Sequence, residues 1–155
     1  VKIIPQDLDS FFKVCFILDN MNKIPQNANL WLIYLLSYIN EDVALEDLSK
    51  IVYCIDFLYS KVELKPNELT QLISKVKELL NKLKMFSQED GSYRSSFKVS
   101  PLDETRYALF SINLLEDLIQ DMIFYYSLTE LKPIKKIYEN VEHVDKTYKL
   151  LSGVN

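Results

Sequence analysis

Apolar residues recur at helical spacing along most of the chain, and five prolines cut the pattern into segments. Pro5, Pro25, Pro66, Pro101 and Pro133 each suit the first turn of a helix, where the missing N–H costs nothing and the fixed φ helps. After Pro5, the residues Leu8, Phe11, Phe12, Cys15, Leu18 and Met21 form one stripe that runs to near Asn22. After Pro25, Asn27 or Asn29 is placed to cap a helix reaching about Asn40. Its run Leu30-Trp31-Leu32-Ile33-Tyr34-Leu35-Leu36 is apolar on every side, which predicts that the Leu30–Ile39 helix is the centre of a bundle. Asp42 is placed to cap a third helix, with Leu45, Leu48, Ile51, Val52, Ile55, Leu58, Tyr59 and Val62 on one stripe.

Pro66 and Asn67 open the most regular amphipathic segment, whose stripe is Leu69, Leu72, Ile73, Val76, Leu79, Leu80 and Leu83. Glu78 and Lys82, four positions apart, are spaced to pair on its polar side. Ser100-Pro101-Leu102-Asp103 reads as a cap, a first-turn proline and an acid near the positive end of the helix dipole. No strong breaker follows until Lys132-Pro133. This stretch forms either one long helix or two joined near Glu116-Asp117, and its length favours two. A last stripe of Ile134, Ile137, Tyr138, Val141, Val144, Tyr148 and Leu151 predicts a helix from Pro133 to about Leu151.

Between Phe86 and Ser100 the periodicity stops. Ser87-Gln88-Glu89-Asp90-Gly91-Ser92 is turn chemistry, with Asp90-Gly91 suited to a positive φ. The residues that follow allow a short hairpin arm, but a surface loop pinned by Tyr93 and Phe97 is the better expectation. The pattern as a whole predicts an all-α chain: a single compact bundle of six or seven helices with one long loop, over residues 1–155.

An internal echo adds an alternative arrangement. Tyr59-Ser60-Lys61-Val62-Glu63-Leu64-Lys65-Pro66 matches Tyr126-Ser127-Leu128-Thr129-Glu130-Leu131-Lys132-Pro133 at six of eight positions, 67 residues later. Each copy is read as ending one amphipathic helix and starting another. If the echo is a repeat, the fold stacks helical hairpins.

Composition narrows the class. With 155 residues and a hydrophobic fraction of 48%, the chain fits one domain with a core of its own. Two glycines in all argue against a sheet-rich fold built on tight turns, and they cannot make a phosphate- or dinucleotide-binding glycine loop. The net charge of −4, from 22 acidic and 18 basic residues, gives no basic footprint for nucleic acid. The longest apolar run, Leu30 to Ile39, is about half of the roughly 20 residues that a membrane span needs, so no integral membrane segment is expected. Cys15 and Cys54 both lie in apolar helical stretches and read as buried thiols, which favours an intracellular, cytoplasmic setting. The chain opens Val1-Lys2-Ile3-Ile4-Pro5, without Met or a leader-like apolar run. It is read as an excised or processed domain, with a larger parent chain or subunit expected.

No catalytic set emerges. His143 is the only histidine and has no sequence-near partner with which to hold a metal. No nucleophile elbow is present. The adjacent acid pairs Glu41/Asp42, Glu46/Asp47, Glu89/Asp90, Asp103/Glu104 and Glu116/Asp117 point about 100° apart on a helix and do not converge. Neither a catalytic residue nor a cofactor or metal is assigned.

Binding chemistry is better represented. Arg94 and Arg106 are the only guanidinium groups, and both lie at the 86–100 loop and the helix it feeds. With the free N–H groups after Ser100 they allow an anion or acidic-peptide site; the structural alternative pairs Arg106 with Asp103. Tyr93 and Phe97 flank Arg94. Ten tyrosines and eight phenylalanines are a heavy aromatic load. Phe124-Tyr125-Tyr126 cannot all face one core from a helix, so either Tyr125 is exposed for a partner or neighbouring helices enclose all three.

One resemblance bears on this. Ser87-Gln88-Glu89-Asp90-Gly91-Ser92-Tyr93 followed by Leu102-Asp103-Glu104-Thr105-Arg106-Tyr107-Ala108-Leu109 resembles one repeat of the α/α-toroid proteins, the terpenoid cyclases and protein prenyltransferase β subunits. The resemblance implies a fragment or non-catalytic relative of such an enzyme. The chain departs from that family in helix number, in lacking a DxDD run, and in offering no partner set for His143. At the level of architecture alone, a small bundle with a buried middle helix also resembles the Bcl-2-like regulators, without their NWGR motif. The reading best supported by the residues is a non-enzymatic helical module that binds a protein partner through an apolar groove or the 86–100 loop, with Arg94, Phe97, Arg106, Tyr93 and Tyr125 as the binding residues.

Overall fold

The computed structural model describes residues 3–40, 42–96 and 98–130. Five helices occur among them, α1 (Leu8–Asn20), α2 (Ala28–Leu36), α3 (Leu45–Tyr59), α4 (Pro66–Lys84) and α5 (Pro101–Glu130). No strand pairing is present among the described residues beyond one antiparallel bridge, Ser87 to Tyr93. Over the described residues the chain is all-α, with five helices rather than six or seven. The helix expected from Pro133 to Leu151 lies outside the described residues, as do Phe97 and His143.

Part of the difference in number comes from α5, which is one helix of 30 residues. The expected break at Glu116-Asp117 is absent because nothing there interrupts the stripe. Ala108, Ile112, Leu115, Leu118 and Met122 are all buried, with no glycine or proline between them. Glu116 and Asp117 face solvent, and Glu116 reaches across to Lys84 of α4 at 3.3 Å.

The central helix is α3, not the 30–39 stretch. It packs against α1, α2 and α5 and buries Leu45, Leu48, Ile51, Val52, Cys54, Ile55, Phe57 and Leu58. The second helix ends earlier than its apolar run, at Leu36, and leaves Leu30 and Ile33 exposed, the latter by 67%. Ala28, Trp31, Leu32 and Leu35 are buried from it, and Tyr34 and Leu36 pack against the core at its edge. Its start follows Asn27, whose φ of 60° is left-handed; asparagine tolerates that region better than most residues.

Contacts set the directions. Lys50 of α3 meets Asp9 near the start of α1, while Tyr53 meets Asp19 near its end, so these helices run parallel. Asp42 does not cap α3. Ala44 occupies that position, and the Leu45 N–H is instead accepted at 2.9 Å by the hydroxyl of Ser95, fifty residues away. On α4, Glu78 pairs with Lys75 at 3.5 Å, while the Lys82 ammonium turns to the Asn40 carbonyl.

The two echo segments are not equivalent. After Tyr59 the chain leaves the helix and α4 begins at Pro66, whereas helix α5 continues through Tyr126, Ser127 and Leu128 to Glu130.

Candidate functional site

The 86–100 loop is built inward. Gly91, at φ 84°, closes the turn, and Asp90 accepts the Ser92 N–H at 2.9 Å and also the Ser92 hydroxyl. The loop is therefore a pinned surface turn with a one-bridge hairpin at its base. Tyr93 packs against the core and donates its N–H to Thr105 Oγ1 at 3.0 Å. Glu104, 2% exposed, accepts the Ser95 N–H at 2.8 Å, the Ser96 N–H at 3.0 Å and the Ser95 hydroxyl. Burial opposes charge on Glu104. The Ser95 and Ser96 donors and the nearby Arg94 outweigh it and hold the carboxyl below its ordinary range. A buried carboxylate from α5 thus takes up the loop amides that follow Arg94.

Among the described residues, the expected site residues fall on the loop base, the start of α5 and the far part of α5. Tyr93 and Arg94 are half-buried in the loop base, with the Arg94 N–H donated to the Phe86 carbonyl at 3.0 Å. Arg106 is exposed on the first turns of α5, where it pairs with Asp103 at 3.0 Å and lies over the Tyr107 ring, 5.8 Å from its centroid. Tyr125 is 50% exposed, but it sits about 28 Å along the helix from Arg106, at 1.5 Å per residue.

Arg106 instead belongs to a surface groove. The groove encloses about 470 Å³ over α3, between Phe12 and Phe16 of α1 and Arg106, Tyr107 and Phe110 of α5, with Ser49, Lys50 and Tyr53 on its floor. Phe12 meets Tyr53 edge-on at 5.4 Å between centroids, and Phe16 lies 6.2 Å from the same ring. The Tyr53 hydroxyl donates to Asp19 at 2.7 Å, which fixes the ring as a platform. Burial, then this carboxylate, push its phenol well above the ordinary range.

Sequence reasoning missed Phe16, Tyr53 and Phe110. For two of them the signal was a position off the apolar stripes: Phe16 follows the stripe residue Cys15, and Tyr53 follows Val52. One exposed aromatic side chain is ordinary; several gathered in one contiguous patch mark an interaction surface.

A second open hollow of about 500 Å³ lies between α2 and α4, lined by Leu32, Ile33, Leu36, Leu64 and Leu72 with Glu68 and Lys75 at its edge. Among the described residues no three metal-ligating side chains converge, and no helix is long and apolar enough to cross a membrane. No protein-family model, no curated protein and no solved structure matches the chain.

Proposed function

We propose that the chain is a non-enzymatic helical interaction module that binds a protein partner in the groove over α3. The observation that carries this reading is a pair of aromatic rings facing that groove from opposite walls, Phe16 at 51% exposure and Phe110 at 49%. Large rings left half in water, beside tyrosines and one arginine, have the composition of a binding hot spot. Tyr53 and Tyr107 flank them, as suits a helix laid into a groove.

The 86–100 loop supports this less well. Its Ser95 and Ser96 amides are already accepted by Glu104, and Tyr93 packs inward, so the described part of the loop is occupied in holding α3 to α5. Arg106 remains a binding residue on this reading. Arg94 and Tyr93 become positioning residues for the loop.

A photo-crosslinking residue at Phe16 tests the proposal in native lysate, with the same residue at Ile33 on α2 as control. The expected result is a discrete adduct from Phe16 that is lost when Phe110 is changed to Ser. Equal adducts from both positions, or adducts indifferent to Phe110, would place the partner elsewhere.

A further inference from the structure

The two ends of the groove differ in charge balance. Near the starts of α1 and α3, Lys50 is surrounded by Asp9 at 3.3 Å, Glu46 at 3.8 Å and Asp47 at 4.0 Å, and Arg106 is held by Asp103. Both cations there are already matched by acids of the chain. At the other end, one helical turn beyond Phe16 and Tyr53, stand Asp19 and Asp56, and α5 brings Asp121 toward them. None of these three carboxylates forms an ion pair among the described residues.

Backbone charge deepens the asymmetry. Because α1 and α3 run parallel, both end here, at Asn20 and Tyr59, and neither has a basic residue in its last turn. Their terminal carbonyls add partial negative charge. Burial, with Asp19 and Asp121 as neighbours, pushes the Asp56 carboxyl above its ordinary range. The groove walls are helical, and no sheet edge exists among the described residues to pair an extended peptide, so a helix is the form of ligand that fits.

Resting on the interaction reading above, we infer that the groove takes an amphipathic helix of a protein partner, its apolar face between Phe16 and Phe110 and its adjoining turn carrying lysine or arginine over Asp19, Asp56 and Asp121. Complementary charge of this kind fixes which way the helix lies and speeds its encounter. The apolar anchors supply most of the affinity.

Panning a displayed library of amphipathic helices of roughly 18 residues, five turns, against the full chain tests this directly. Enriched clones are expected to carry apolar residues spaced i, i+3 or i+4, i+7, with basic residues in the turn at one end. They should bind the double variant Asp19→Asn/Asp121→Asn roughly tenfold more weakly, and should lose binding to Phe16→Ser/Phe110→Ser. All four positions are exposed, and an unchanged melt is the control for folding; Asp121→Asn alone serves if the double variant melts early. Clones without a basic turn that ignore the aspartate variants would overturn this inference and leave the groove reading standing. Clones indifferent to Phe16→Ser/Phe110→Ser would overturn the groove reading itself. No enrichment, with the groove filled by a second copy or by residues 131–155, would overturn the inference as well.

Discussion

The Glu104 carboxylate holds Ser95 twice, taking both its backbone N–H and its hydroxyl. The same hydroxyl accepts the Leu45 N–H at the start of α3. One buried side chain on α5 thereby ties two helix starts and a loop together, so its loss should be felt globally. Glu104→Ala leaves the Ser95 and Ser96 amides without their acceptor and should cost about 3 kcal/mol, read by thermal or urea unfolding. The pH dependence follows from the sign of the shift. Folding holds the Glu104 carboxyl below 4.5, so its contribution is complete above that value and is lost as pH falls through the lower folded value. The stability gap between wild type and Glu104→Gln should be constant near neutrality and close in acid. A gap that widens on acidification would contradict the arrangement.

The two cysteines should be chemically silent. Cys15 and Cys54 are fully buried and unbridged. The neighbouring Cys15 thiol and burial push the Cys54 thiol far up, which removes the reactive thiolate. Iodoacetamide at mildly alkaline pH should leave the folded chain unmodified by mass spectrometry, and should add two groups once denaturant is present. Modification of the folded chain at the unfolded rate would show that the packing of α1 on α3 is wrong.

The stripes made much of this fold legible in the sequence. Phe11, Cys15 and Leu18 of α1, and Leu69, Leu72, Val76, Leu79 and Leu83 of α4, are buried as their spacing predicts. What periodicity does not encode is which helix sits in the middle. The 30–36 run is apolar on every side, yet Ile33 is exposed, because the short α2 has only α3 as a substantial neighbour. The tie of Ser95 to Leu45 joins residues fifty positions apart, a long-range choice that no local pattern records. The groove was hidden for a related reason: Phe16 and Phe110 acquire meaning only when α1 and α5 are seen to flank the same face of α3.

Continuity of α5 can be tested at the position where the sequence favours a break. Asp117 lies on the solvent side between buried Leu115 and Leu118. Proline there removes a helix hydrogen bond and clashes with the preceding turn, at a cost of about 3 kcal/mol. Asp117→Pro should therefore melt far below Asp117→Ala. If two helices met at Glu116-Asp117, proline would fall in a first turn and the two variants would melt together.

The core offers a sharper contrast on α2. Leu35 is fully buried, while Ile33, two residues earlier, is mostly exposed. Leu35→Asp places an unpaired charge in the interior and should abolish cooperative unfolding. Ile33→Ser should shift stability by about 0.5 kcal/mol or less. The emission of the single, buried Trp31 reports both. A cooperative Leu35→Asp melt would mean that α2 is wrongly seated.

Asp56 should show the opposite pH behaviour to Glu104. Its folded carboxyl is raised above 3.8 by burial and by repulsion from Asp19 and Asp121, so ionising it costs stability. The penalty is absent below the unfolded value, grows as pH rises from 3.8 through the folded value, and is fully present at neutrality. Asp56→Asn removes it and should raise the melting temperature at pH 7 by roughly 2 °C, with no gain near pH 3. Because Asp56 also stands at the acidic end of the groove, the same change should weaken capture of a basic helix. Stability gained and binding lost in one substitution is the pattern of a charge kept for recognition. A variant that binds and melts as wild type at pH 7 would show that the three aspartates do not feel one another.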